Sequence, residues 1–132
     1  MPSFGTLKAD TLTHSTAGSL ATNYVVNGSA KSWMNLNGSG TVATRDTLNV
    51  SSLSDEGTGK YLISFSSSMG NDDYTISGGA RSPGVGSGVL NAPTDAAGDM
   101  ATGSIEVYSL GLGDGNPTDF NHVFTIIHGD LA

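Results

Sequence analysis

The segment from Asp55 to Phe65 gives the clearest structural signal in the chain, that of a β-hairpin. It begins with Asp-Glu-Gly-Thr-Gly, and its two glycines can adopt the positive φ angles of tight turns without steric cost. Tyr61, Ile63 and Phe65 follow at every second position. Because successive side chains of a strand point to opposite faces, this spacing puts three large apolar residues on one face. The segment therefore predicts β structure with one buried face.

The composition favours a folded, turn-rich domain. The chain has 132 residues, which fits one domain that buries a core without needing disulfides or structural metal ions. Its 19 glycines, together with many Ser, Thr and Asn residues, resemble the composition of disordered chains. However, 36% of the residues are hydrophobic, and many of them alternate with polar ones. An all-β domain is the favoured interpretation. Cysteine is absent, so disulfides and thiolate metal sites are excluded.

The charge pattern argues against two classes of partner. Only 13% of the residues are charged, and the net charge is −7. Nucleic-acid binding through phosphates needs clustered Lys and Arg, and so does a polybasic membrane anchor. No apolar stretch approaches the roughly 18 residues that span a bilayer, and the first residues do not show a signal-peptide pattern. We expect neither nucleic-acid binding nor membrane insertion.

The apolar pattern divides the chain into a connector and a β-rich domain. Residues 1–23 are polar with widely spaced apolar residues, which predicts an extended connector or shaft-end segment. Residues 24–132 predict an antiparallel β-sandwich of about six to eight strands and no helix. Residues 24–36 are interpreted as an interrupted strand, and Leu48 and Val50 as the start of another.

The last predicted strand, residues 120–128, is apolar on both faces. Phe124 and Ile126 share one face, whereas Val123 and Ile127 share the other. We expect the core to bury one of these faces and a neighbouring subunit to bury the other.

Two segments rich in Gly predict irregular loops, Gly78–Thr102 and Gly111–Asp119. Loops this long are often functional, so the stretches 81–101 and 111–119 are candidate binding regions. Their acidic and amide residues are able to bond hydroxyl groups or Ca²⁺, although the spacing of a calcium loop is missing. The simpler interpretation is that these residues form turns. The candidates are Asp95, Asp99, Asp114, Asn116 and Asp119.

No catalytic or metal-binding pattern is found. His122 and His128 lie six residues apart on one predicted strand, about 20 Å, and cannot share a metal within one chain; His14 is remote in sequence. The sequence lacks a Gly-x-Ser-x-Gly elbow, a phosphate-binding glycine motif and a spaced pair of catalytic carboxylates. We predict that the protein is not an enzyme and needs no cofactor or metal.

The only tryptophan, Trp33, lies in Ala30-Lys-Ser-Trp-Met-Asn-Leu-Asn-Gly-Ser-Gly-Thr-Val-Ala-Thr-Arg45. An aromatic ring is able to stack on a sugar, but a single Trp among alternating strand residues more often has a structural role. Its position suits either the end of the core or a subunit interface.

This stretch and the one that follows it resemble a known pattern. With Asp46 to Phe65 they are similar to "KAWVNF(N/D)GTGTVAIR…FNVSSITDNGTGDYTVNF", found in tail-fibre and related structural proteins of bacteriophages. The lead-in Asn23-Tyr-Val-Val-Asn-Gly-Ser-Ala-Lys-Ser-Trp33 resembles the "YVVNGSAKAW" of the same family. The resemblance covers about Thr11 to Ile76. Met34-Asn-Leu departs from the usual Val-Asn-Phe, and Thr44-Arg45 from Ile-Arg.

The resemblance implies a homotrimeric virion protein exposed outside the cell. It makes the chain the head domain of a tail fibre, attached to other virion proteins through its N-terminal segment and bound to a host surface receptor, such as a glycan. The shared pattern then marks a scaffold signature, and the loops of the second half are the expected receptor contacts. The alternatives are a purely structural virion component, such as a capsid decoration or fibre-junction domain, and a free-standing carbohydrate-binding module. The signature residues are Trp33, Gly38, Gly40, Arg45, Tyr61 and Phe65.

Overall fold

A two-stranded hairpin and one short helix precede the main sheet. The computed structural model describes residues 9–84, 86–92 and 100–132. Strand β1 (Thr11–His14) pairs antiparallel with β2 (Gly18–Ala21), and helix α1 (Thr22–Gly28) follows directly. The Thr22 backbone N–H donates to the Asp10 carbonyl at 2.9 Å, which ties the start of the helix to the residue before β1. Among the described residues, no helix has the length and apolar character that crossing a bilayer would require.

Nine further strands form one antiparallel sheet. The neighbours follow the order β4-β3-β11-β7-β8-β10-β6-β5, and β9 pairs with β10 at the side. The predicted all-β class is thus confirmed, and the sheet is nearly closed. The strands are β3 (Ser32–Asn37), β4 (Ala43–Leu48), β5 (Val50–Gly57), β6 (Lys60–Phe65), β7 (Thr75–Ser82), β8 (Gly86–Asn91), β9 (Met100–Ala101), β10 (Ser104–Gly111) and β11 (His122–His128).

The near-closure follows from the joint between β4 and β5. These two strands stand at opposite ends of the hydrogen-bonded order, yet only Asn49 separates them in sequence. A sheet whose two edge strands are consecutive in the chain has to curl until the edges approach each other. Strand β5 contacts both β3 and β4.

The inner face of the curled sheet forms the core. Alternating burial is visible in four strands: residues 32, 34 and 36 of β3 are buried while their neighbours are partly exposed, and β6, β10 and β11 repeat this pattern. Burying each large apolar side chain stabilises the fold by about 1.5–3 kcal/mol. The fully buried apolar side chains include Leu36, Tyr61, Ile63, Ile105, Val107, Phe120, Val123 and Ile127.

The strongest sequence prediction, the hairpin at 55–65, is confirmed. Strands β5 and β6 pair antiparallel, and their turn contains Gly57 at φ 128° and Gly59 at φ 66°. Tyr61, Ile63 and Phe65 are buried together on the inner face.

The prediction of a strand across residues 24–36 is wrong in its first half. Tyr24, Val25 and Val26 belong to α1. All three are exposed, with Tyr24 at 67%. β-branched and aromatic residues favour strands mainly because they pack against neighbouring strands, whereas here, among the described residues, these three side chains remain largely exposed. The β-propensity of this tripeptide therefore does not decide its structure.

The prediction that Leu48 and Val50 begin the same strand is also wrong. Leu48 ends β4 and Val50 begins β5, because Asn49 between them adopts φ 56°. Asparagine tolerates the left-handed region better than most residues, so one residue is enough to redirect the chain.

The irregular connection predicted for Gly78–Thr102 is mostly regular where the structure describes it. It contains the end of β7, all of β8 and the short β9. Gly84 and Gly86 have φ 82° and 100° at the turn between β7 and β8. Gly78 and Gly88 instead permit close approach: a Cβ on Gly78 would lie 2.0 Å from the Phe124 carbonyl oxygen, and one on Gly88 would lie 2.6 Å from that of Leu110. Because these glycines stand where alternating apolar residues would otherwise be, the sequence does not predict strands β7 and β8.

Candidate functional site

The outward side chains of β4, β3, β11, β7 and β8 form a surface that we call the outer face. Since residues 34 and 36 of β3 point into the core, Trp33 and Asn35 point outward. Phe124 and Ile126 of β11 also point outward and are 43% and 41% exposed. Contiguous exposed apolar surface of this kind marks an interaction site more often than scattered single residues do.

A cleft of about 410 Å³ lies on the outer face, within the size range of small-molecule sites. We call it the outer cleft. The sheet register assembles it, because Phe124 pairs with Asn35 on one side and His122 pairs with Arg81 on the other. Its lining residues are Asn35, Arg81, Pro83, His122 and Phe124.

The Phe124 ring has a fixed position in the outer cleft. Phe124 is the register partner of Gly79 on β7. A Cβ on Gly79 would lie 3.2 Å from Cζ and 3.3 Å from Cε2 of the ring, so the ring covers the glycine backbone. An aromatic side chain packed over a cross-strand glycine is held from below and exposes the remainder of its surface. It can serve as a flat apolar platform.

Asn35 contributes an unsatisfied polar group beside this platform. Its Oδ1 is buried and has no hydrogen-bond partner. A buried acceptor without a partner costs about 1–3 kcal/mol. The amide of Asn35 also lines the outer cleft, where a side-chain amide is able to bond a ligand hydroxyl.

The loop residues chosen from the sequence form a compact turn. The Asp114 Oδ1 accepts a hydrogen bond from the Asn116 backbone N–H at 3.1 Å, and its Oδ2 accepts one from Asn116 Nδ2 at 3.0 Å. The Asn116 side chain lowers the pKa of the Asp114 carboxyl below its ordinary value. Both residues are exposed, and their mutual bonds are those of a turn-forming pair.

Asp119 holds the same loop against the β5–β6 turn. Its Oδ1 accepts a hydrogen bond from the Gly59 backbone N–H at 2.7 Å. The Thr118 N–H donates to the Ser109 carbonyl at 2.9 Å and fixes the loop to β10. Asp119 thus has a structural contact that sequence alone does not reveal.

Asp95 and Asp99 lie outside the described residues. Asp114 and Asn116 lie in the loop after β10, while the outer cleft is built on β3, β7 and β11. Within residues 9–84, 86–92 and 100–132, no group of three His, Asp or Glu side chains is arranged to hold a metal ion.

The signature residues occupy two environments. Tyr61 and Phe65 are core residues, and Phe65 makes an edge-to-face contact with Tyr74 at 5.9 Å between ring centroids. Gly38 is buried beneath Tyr61, and Gly40 has φ 71° in the β3–β4 connection.

Trp33 and Arg45 belong instead to the side of the sheet that carries the outer cleft. Trp33 pairs with Ile126 and with Leu48 on the outer face. Arg45 lies at a β-bulge between Thr44 and Asp46, and its Nη2 donates to the Asn121 carbonyl at 2.7 Å.

Sequence reasoning did not select the residues of the outer cleft. Arg81 and Pro83 fall within the stretch 81–101 that it did select, but the stretch is not a single loop. One sequence signal was available: β11 is apolar on both faces, so one of them had to meet something other than the core.

The chain matches no protein-family model, no curated protein and no solved structure.

Proposed function

We propose that this chain is the head domain of a bacteriophage tail fibre, exposed on the virion, which attaches to a glycan on the host surface through the outer cleft. The resemblance of Ala30–Phe65 to tail-fibre proteins supports the family. The segment before the sheet would join the head to other virion proteins.

The observation that carries the proposal is the pairing of an exposed ring with an unsatisfied amide. Phe124 offers a fixed apolar surface on which the C–H face of a sugar packs, and Asn35 lines the same cleft with a side-chain amide, a group that bonds hydroxyls. His122 and Arg81 add donors at the other end of the same cleft. Apolar stacking together with directional polar contacts is what a sugar ring requires, because it has both kinds of surface.

A homotrimer would strengthen such a shallow site. One weak contact per copy is multiplied when three copies, and several fibres, engage one surface. The apolar row Leu48–Trp33–Ile126 supports self-association, because Leu48 and Ile126 are 47% and 41% exposed on the two strands that flank Trp33. We assign the contact between copies to this row.

The glycan function is tested with a purified full-length chain on an array of neutral and acidic oligosaccharides. Phe124→Ala is expected to weaken binding about tenfold or more, because the platform is lost. Val89→Ala is the matched control, since Val89 is an exposed apolar residue of the same face, 45% exposed, outside the cleft. Asn116→Ala tests the loop predicted from sequence. Equal losses for Phe124→Ala and Val89→Ala would refute the cleft assignment.

The trimer is tested by light scattering at micromolar concentration. The expected mass is three times 13.4 kDa. Ile126→Glu is expected to give monomers because it places a charge in the contact, whereas Val89→Glu, an equivalent change outside the row, should leave the mass unchanged. A trimer that binds no glycan would favour a purely structural virion component. A monomer that binds glycans would favour a free-standing carbohydrate-binding module.

A further inference from the structure

Positive charge is concentrated at one end of the outer cleft. The chain has 12 acidic residues and only five Lys and Arg, of which two are arginines, Arg45 and Arg81. Both arginines lie on strands of the outer face, and Arg81 lines the cleft. Because both arginines lie on one face, that face attracts anions locally, although the net negative charge of the protein repels them.

The arginines and His122 form a row across four neighbouring strands. Arg81 on β7 is the register partner of His122 on β11. Arg45 on β4 reaches across β3, donating to Asn37 Oδ1 at 3.4 Å and to the carbonyl of Asn121, the residue before His122. This bond places the Arg45 guanidinium next to the backbone of the residue before His122, although Arg45 itself does not line the cleft.

Arg81 is available to a ligand. Within the described part of the chain, its guanidinium has no carboxylate partner and makes no hydrogen bond, and the residue is exposed. A guanidinium presents a planar fork of donors that fits a carboxylate with two parallel hydrogen bonds. Such charge-assisted bonds are stronger than those to neutral groups.

The opposite end of the cleft has the reverse polarity. Asn35 pairs in register with Asp46, which is exposed on β4. A carboxylate and an amide oxygen accept hydrogen bonds from hydroxyls and repel anions. The cleft therefore has the donors Arg81 and His122 at one end and the Phe124 ring and the Asn35 amide at the other, where Asp46 lies on the neighbouring strand.

From this polarity we infer that the outer cleft prefers acidic sugars, with the carboxylate of a uronic or sialic acid at Arg81 and His122 and the ring hydroxyls toward Asn35. This inference rests on the proposed glycan function and specifies its ligand class.

The test compares two probes that differ only at the carboxyl group: galacturonate oligosaccharides, and their methyl esters, in which a methyl group replaces the negative charge. Binding of both is measured by calorimetry, alongside the array of neutral, uronate-bearing, sialate-bearing and sulfated oligosaccharides. We expect acidic array members to give the strongest signals and the free acid to bind about tenfold or more tightly than its ester. Added salt should narrow this difference, because the cleft is open to solvent.

Arg81→Gln is expected to abolish the preference for the acid over the ester. Lys60→Gln is the matched control: it also removes one positive charge, but Lys60 lies over the Tyr108 ring at 4.9 Å on β6, away from the cleft. Arg81→Lys should retain part of the preference, since it keeps the charge and loses the fork. Circular dichroism confirms that each variant is folded.

The possible results distinguish the preference for acidic sugars from the proposed glycan binding on which it rests. Equal binding of acid and ester, or equal effects of Arg81→Gln and Lys60→Gln, would overturn the acidic preference while glycan binding stands. Absence of binding across the whole array would overturn both.

Discussion

At the scale of single residues, Gly38 shows how closely the core is fitted. A Cβ at this position would lie 2.1 Å from the Tyr61 Oη and 3.0 Å from the Phe120 carbonyl oxygen. The Gly38 N–H donates to that same carbonyl at 2.9 Å, so the backbone cannot retreat without losing the bond. Position 38 therefore requires glycine, because Tyr61 of β6 occupies the space that a Cβ would fill.

We predict that Gly38→Ala lowers the free energy of unfolding by about 2–3 kcal/mol, the usual cost of overpacking. Tyr61→Phe alone should cost about 1 kcal/mol, since its hydroxyl makes long contacts of 3.4 Å with Gly38 O and Asp119 Oδ1 and also interacts with the Ser109 side chain. The double variant should be more stable than the sum of the two losses predicts, because the atom closest to the added Cβ, the hydroxyl oxygen, is gone, although Cζ at 2.8 Å remains. Urea unfolding measures all three.

The control for this cycle is Gly113→Ala, where a Cβ would meet nothing within 4 Å. Strict additivity of Gly38→Ala and Tyr61→Phe would show that the two residues do not compete for the same space.

At the scale of elements, the joint between β4 and β5 depends on one side chain. Asn49 Nδ2 donates to the Ser67 carbonyl at 3.0 Å, and Asn49 Oδ1 accepts from the Ser67 N–H at 2.7 Å. These two bonds tie the turn to the segment after β6, while the backbone of Asn49 remains in the left-handed region.

Asn49→Ala is predicted to destabilise the fold by about 2 kcal/mol, because it loses both bonds and keeps an unfavourable φ. Asn49→Gly loses the same bonds but relaxes the backbone, so it should cost less. Guanidinium unfolding of both variants checks the order. If alanine is tolerated better than glycine, the left-handed geometry at this joint is not a source of strain.

The β5–β6 hairpin can be predicted from the sequence, whereas strands β7 and β8 cannot. The β5–β6 hairpin is predictable because Tyr61, Ile63 and Phe65 alternate and their turn contains glycine. Strands β7 and β8 are not, because Gly78, Gly79 and Gly88 replace the apolar residues that would reveal them. The outer cleft could not be predicted from the sequence for a related reason. Asn35, Arg81 and Phe124 are far apart in sequence, and only the register of β3, β11 and β7 brings them together.

At the scale of the whole molecule, two buried tyrosines make stability sensitive to alkali. Burial raises the pKa of Tyr61 and of Tyr74 from 10.0 to about 12. Tyr74 Oη also lies 3.0 Å from the carbonyl oxygens of Ala101 and Ser104, to one of which it donates. Both phenols must stay protonated in the folded state.

We predict that the free energy of unfolding is constant with respect to these groups below pH 10 and falls as the pH rises from about 10 to 12. In that window the unfolded chain has already released the two protons and the folded chain has not, so alkali favours unfolding. Denaturant titrations at increasing pH, with tyrosinate absorbance as a second signal, measure the slope. The Tyr61→Phe/Tyr74→Phe variant should flatten it; an unchanged slope would assign the effect to other groups.

The pairing of β3 with β11 has a consequence for synthesis in the cell. Leu36 pairs with Val123 although most of the chain lies between them. During synthesis β3 emerges well before β11 and has no inner partner until β11 has also emerged, so the sheet cannot close before then. Until then β3 and β7 present open edges, which can pair with the equivalent edges of neighbouring nascent chains. Assembly of several copies would therefore compete with correct closure, and slow expression at low temperature should raise the soluble yield.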